Sequence, residues 1–127
     1  MKFIHTADWQ LGKIRDGAPV DEFIDFRFKT TEKIRDYANE ENVDFVIIAG
    51  DLFDHTQKKL VSRINRKVPS FDGQEFLTKS IGILNSFKCK VFILPANHDF
   101  YTEHCLWNQE IWRNNIGNNV VVFNEKE

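Results

Sequence analysis

The chain predicts an α/β fold, a mostly parallel β-sheet flanked by helices, and three observations carry that prediction. Short apolar runs alternate with longer stretches of helical periodicity in the order β-α-β-α-α-β-α-β. The run Phe45-Val46-Ile47-Ile48 is apolar at every position, as in a parallel strand covered on both faces. Three of the apolar runs lead straight into acidic or histidine-bearing segments: Asp8-Trp9-Gln10, Gly50-Asp51-Leu52-Phe53-Asp54 and Ala96-Asn97-His98-Asp99. Open parallel sheets collect ligands at the carboxyl ends of their strands, so the three segments read as one site built from three loops.

The elements follow in order. Residues 2–7 form a first strand, and Gly12, Gly17 and Pro19 punctuate the loop after it. A long helix is predicted from residue 21 to about 41, with Phe23, Phe26, Thr30, Ile34 and Tyr37/Ala38 on its buried face. The second strand starts at Phe45. A helix is expected over 58–68, with Leu60, Val61, Ile64 and Val68 on one side, and residues 69–73 interrupt it. Asp72 can then cap the next helix, with Glu75 three residues later in a capping-box-like pair. Leu77, Ser80, Ile81, Leu84 and Phe87 form its apolar face. Residues 91–94 are the third strand, 104–115 a weaker helix and 120–123 a fourth strand.

At 127 residues and 42% hydrophobic, the chain suffices for one core, and residues 1–127 are expected to form a single domain. A net charge of −2 gives no global signature of a nucleic-acid binder, so any affinity for a polyanion must be local. Cys89 and Cys105 make neither a disulfide framework nor a metal-type pair and read as reduced, structural thiols. Without an apolar stretch of the ~18 residues a membrane span needs, or a signal-type N-terminus, the expected location is the cytoplasm.

At the candidate site, Asp8 and Gln10 lie two residues apart and can reach one cation. Gly50 allows a sharp turn, and Asp51 behind it can bridge two cations at the ~3.5–4 Å spacing of a two-metal centre. Asp54 fits a helix cap or a support for the ligands better than a ligand. Asn97 offers an amide oxygen; His98 titrates near neutrality and can donate a proton to a leaving oxygen. Asp99 follows as a further supporting carboxylate. Such oxygen and imidazole donors suit manganese, magnesium, iron or zinc, and point to metal-assisted hydrolysis. His5 is expected to be packed or hydrogen-bonded within its strand. Trp9 reads as packing near the site, and Trp107 and Trp112 as core or interface. Lys59, Arg63, Arg66 and Lys67 share one helical face directly after the second loop, where they could hold nucleic-acid phosphates or simply face solvent.

The three motifs, in this order, resemble those of the calcineurin-like metallophosphoesterases. His5-Thr6-Ala7-Asp8-Trp9-Gln10-Leu11-Gly12 is closer still to the opening of SbcD/Mre-type DNA-repair exonucleases. The resemblance covers about residues 1–100. It implies the N-terminal half of an α/β/β/α sandwich, with Asp8 and position 10 on a first metal, Asp51 bridging, Asn97 on a second, and His98 protonating the leaving group. It also implies manganese, two ions in a complete site, and attack of a metal-bound hydroxide on a DNA phosphodiester. Gln10 departs from the usual histidine and Ala96 from the usual glycine. The two later histidine motifs of the resemblance are absent, and His104 is too near to replace them. The isolated chain is therefore expected to be weakly active or inactive, and to join a protein partner or a second copy. The alternatives are a binding or scaffold subunit and a phosphoesterase for small phosphomonoesters.

Overall fold

The computed structural model describes residues 1–13, 19–53, 64–66, 72–95, 107 and 109–123. Among them, β1 (Phe3–Thr6), β2 (Phe45–Ala49), β3 (Lys90–Leu94) and β4 (Val120–Val122) form an all-parallel sheet in the order β1-β2-β3-β4. The helices are α1 (Val20–Glu40), α2 (Gly73–Asn85) and α3 (Glu110–Asn115). Sequential order in a parallel sheet has a geometric consequence. Every crossover steps in the same direction, so right-handed connections put their helices on one face.

The burial pattern agrees. Ile4, Val46, Val91 and Val120 make one row across the sheet, and Thr6, Ile48, Ile93 and Val122 the next. The inner members of both rows, Val46, Ile48, Val91 and Ile93, are fully enclosed. Each contributes about 1.5–3 kcal/mol relative to exposure. The alternate positions form the other face. There Phe3 stacks on Phe45 at 5.0 Å, Phe45 meets Phe92 edge-on at 6.0 Å, and Phe92 stacks on Phe123 at 5.7 Å. Phe3 and Phe123 remain 54% and 45% exposed. The prediction that β2 is covered on both faces is thus corrected: Phe45 and Ile47 are only half-buried, and among the described residues no helix covers them. His5 lies on this open face and is exposed, not packed.

Helix α1 has the expected bounds but a different buried stripe. Ile24, Phe28, Thr31 and Ala38 face the core, whereas Phe26 is 68% exposed and Tyr37 and Thr30 are also outside. Two apolar stripes run side by side on this helix, and Phe28 against Phe76 of α2 (5.1 Å) fixes which one turns inward. Phe23 and Ile34 lie on the boundary, half-buried. Beyond the last helical residue, Glu40, Asn42 takes a φ of 51° that suits asparagine in a left-handed cap, with Val43 N–H donating to the Ala38 carbonyl at 3.2 Å.

Asp72 caps α2 as expected, its Oδ1 accepting from Glu75 N–H at 2.8 Å. Leu77, Ser80, Ile81, Leu84 and Phe87 are all buried. Asn119 ties the start of β4 to the end of this helix, donating to the carbonyls of Leu84 (3.2 Å) and Phe87 (3.1 Å). Trp107 and Trp112 are buried and meet edge to face at 4.7 Å. The helix expected over 58–68 falls largely outside the described residues; within it, 64–66 are helical and Ile64 is buried. The described part of the last helix, 110–115, is shorter than the 104–115 expected. Among the described residues no helix is long and apolar enough to cross a membrane.

Candidate metal centre at the strand ends

The parallel pairing of β1 and β2 does not stop where the strands stop. Asp8 N–H donates to Gly50 O (3.1 Å), Gln10 N–H to Asp51 O (2.9 Å) and Leu11 N–H to Leu52 O (2.9 Å). A bridge between Leu11 and Phe53 continues the ladder. The first two sequence-derived loops therefore lie side by side, held by their backbones. Leu11, Leu52 and Phe53 anchor them below, all buried, with Phe53 packed on Trp107 at 5.8 Å and Trp112 at 6.5 Å.

The backbone at the top of these loops is unusual. Asp8 has φ 54°, Gln10 46° and Asp51 53°, all in the left-handed region. Such a conformation costs a side-chain-bearing residue about 1–2 kcal/mol, somewhat less for Asp than for Gln. Outside the Asn42 helix cap, these are the described non-glycine residues with positive φ, and all three were picked from sequence as ligands. Gly50, at φ 92°, takes its turn without a Cβ penalty. Gly12, at φ 90°, sits in the turn closed by Lys13 N–H to Gln10 O (3.1 Å).

Asp8 is exposed, while Gln10 and Asp51 are half-buried. Gln10 Oε1 accepts from Lys13 Nζ at 3.1 Å. An amide oxygen has two lone pairs, so this bond leaves one free for a cation. Two carboxylates and an amide oxygen are hard donors and suit a divalent manganese or magnesium ion. Among the described residues no group of three or more His, Cys, Asp or Glu is gathered for a metal. The third loop carries the remaining candidates. Asn97, His98 and Asp99 lie outside the described residues, as do Asp54, Lys59, Arg63 and Lys67; Arg66 is helical and exposed. That loop starts from β3, hydrogen-bonded beside β2 with Ala49 opposite Leu94.

Two residues at this site were missed from sequence. Lys13 contacts Gln10, and the three-residue spacing across Gly12 was the available signal. Arg27 lies 18 positions from Trp9, yet its Nη1 donates to the Trp9 carbonyl at 2.9 Å. Nothing local in the sequence signals that bond. Trp9 itself is buried, as packing near the site predicted. Cys89 is a free, half-buried thiol whose pKa burial pushes up, which suits a structural cysteine better than a nucleophile.

An all-parallel sheet with oxygen-bearing loops at adjacent strand ends defines an α/β protein whose candidate site lies at those ends. The match to a family model is specific: the calcineurin-like phosphoesterase model covers residues 1–126. The chain belongs to the calcineurin-like phosphoesterase family, a class of metal-dependent phosphoesterases. The all-parallel sheet with helices on one face is consistent with the N-terminal half of that fold.

Proposed function

We propose that this chain is the metal-binding part of a DNA phosphodiesterase of the SbcD/Mre exonuclease type, working in the cytoplasm with manganese. The observation that carries the reading is the cluster of left-handed residues Asp8, Gln10 and Asp51 on adjacent strand ends. Strain of this kind persists where the surrounding structure over-determines it, and it gathers at functional sites. Asp8, Gln10 and Asp51, with Asn97 from the third loop, would hold the cations. When bound, the cations supply Lewis-acid polarisation of the phosphoryl oxygens and a nucleophile at neutral pH. Asp54 and Asp99 would orient these ligands. Lys59, Arg63, Arg66 and Lys67 would hold backbone phosphates of the DNA. The reading is tested by offering the chain, alone and together with the partner that completes its site, manganese with a linear DNA duplex beside a small phosphomonoester such as p-nitrophenyl phosphate. Cleavage of DNA from its ends supports the proposal; turnover of the monoester alone would favour the small-molecule alternative.

His98 is assigned the proton delivered to the leaving oxygen. In the assembly that completes the site, His98→Ala is expected to leave manganese and DNA affinity within a few-fold while cleavage slows by ~10²–10⁴-fold, as loss of a general acid does. Binding by fluorescence anisotropy and single-turnover cleavage separate the two. A parallel loss of binding would make His98 a ligand instead.

The open phenyl face favours a second part to the reading, a role within an assembly. Phe3, Phe45, Phe92 and Phe123 form a continuous apolar ladder, with Leu94 exposed nearby in the sheet. An apolar face of this kind is a contact surface. The chain is expected to self-associate in a concentration-dependent way by sedimentation equilibrium, and Phe3→Glu with Phe123→Glu to shift it towards monomer. Monomeric behaviour of the unmodified chain at high concentration would remove this part.

A further inference from the structure

We propose that Arg27 is a positioning residue for the loop that carries Asp8 and Gln10, acting through the carbonyl of Trp9. The proposal builds on the reading of that loop as ligand-bearing. Trp9 lies between two left-handed residues, and each of its polar groups beyond the backbone N–H is held. Its indole N–H donates to Thr6 Oγ1 at 3.0 Å, and its carbonyl accepts from Arg27 Nη1 at 2.9 Å. Its ring is stacked near Phe87, with centroids 6.4 Å apart. A peptide whose carbonyl is fixed in direction leaves its successor little freedom at φ. The bond from Arg27 therefore bears directly on Gln10, at φ 46°.

The guanidinium is itself fixed. Its Cζ lies 5.1 Å from the centroid of the Phe23 ring, one turn earlier on α1. Its Nε is buried without a hydrogen-bond partner. An arginine retained in place of an apolar residue, with one donor unsatisfied, calls for an explanation, because the uncompensated donor opposes folding. A planar fork explains it, since one side chain stacks on the ring while reaching the Trp9 carbonyl. Arg27 and Asp8 also line a common cavity of about 250 Å³ together with Thr6, Trp9, Phe23 and Phe26. The clamp and the candidate ligand thus share one wall between β1 and α1.

The experiment compares the full chain with Arg27→Met and Arg27→Lys by amide hydrogen exchange and manganese titration. In Arg27→Met, the amides of Asp8, Gln10 and Leu11, which donate to the neighbouring loop, are expected to exchange faster. Exchange in β2, β3 and α2 should hold steady. Manganese affinity should fall by ~10–100-fold, the usual effect of removing a group that orients a ligand. Arg27→Lys should recover part of both, because an ammonium can still donate to the carbonyl. Unchanged exchange at the three amides overturns the proposal, and so does acceleration spread evenly through the sheet, which is the signature of a general structural role. Should Arg27→Met not fold, Phe23→Leu serves in its place: it keeps the guanidinium and removes its platform. A smaller acceleration at the same amides supports the proposal, and none overturns it. If the unmodified chain binds no manganese, the ligand reading fails, while the exchange pattern still decides the role of Arg27.

Discussion

In the assembly that completes the site, Asp51→Asn is expected to abolish metal-dependent phosphoester cleavage, a loss of ~10³-fold or more, while leaving the fold of this chain intact. The two halves of that expectation have separate causes. Asparagine, like aspartate, tolerates left-handed backbone, so the residue at φ 53° keeps its conformation. The hydrogen bond that Asp51 accepts from Gln10 N–H uses the main-chain carbonyl and does not depend on the side chain. What changes is the charge. As the proposed bridging ligand, Asp51 would serve both cation positions at once, and losing about 4 kcal/mol of transition-state stabilisation corresponds to ~10³-fold in rate. Manganese titration, thermal melting and cleavage of a labelled DNA duplex check the three parts. Weakened manganese binding with an unchanged melting curve is the expected pair. Cleavage that survives in Asp51→Asn would remove Asp51 from the site, and Asp51→Ala, which forces alanine into the left-handed region, would be the poorer control.

Phe53→Ala is expected to have the largest effect on stability, a loss of ~3–5 kcal/mol. Phe53 is fully buried at the end of the bridge to Leu11, between the rings of Trp107 and Trp112. Its removal leaves a cavity that two rigid indoles cannot collapse to fill. Against a total of about 5–15 kcal/mol for a domain, that is a large share. The melting temperature should drop by roughly 10–20 °C. Phe26→Ala, on the exposed side of α1, should change stability by no more than about 0.5 kcal/mol. Equal effects from the two phenylalanines would mean that the packing around Phe53 is not as described.

Most of the sheet was legible in the sequence because parallel strands announce themselves twice, by an unbroken apolar run and by the loop that follows. Residues 45–48 and 91–94 illustrate both signals; the first strand found there runs one residue further and the second starts one residue earlier. The cap at Asp72 was legible because its partner is three residues away. The buried face of α1 was not. Ala38 was placed inside, as found, but Phe23 and Phe26 are as apolar as Ile24 and Phe28, and the choice between the stripes is made by Phe76, some fifty residues later. His5 was misjudged for a related reason: its strand pairs on one side, and alternation puts it on the face away from the described helices. At the site, the identity of Asp8 and Asp51 as loop residues could be read directly, since Asp tolerates such turns. The left-handed state of Gln10 could not, because glutamine carries no such tendency and the conformation depends on backbone partners from another loop.

The parallel register also bears on how the chain folds. Phe3 pairs with Phe45, Phe45 with Lys90 and Val91 with Val120, so no ladder joins neighbours in sequence. Each ladder must close a long loop before its first hydrogen bond forms, which makes folding slow and leaves the earliest strand waiting for its partner. The first pairing available to a chain emerging from its N-terminus is β1 with β2. That same event zips Asp8 to Gly50 and Gln10 to Asp51. The strained loops would then close together with that first ladder, and substitutions that loosen them are expected to slow refolding, measured by stopped flow, as well as weaken the site.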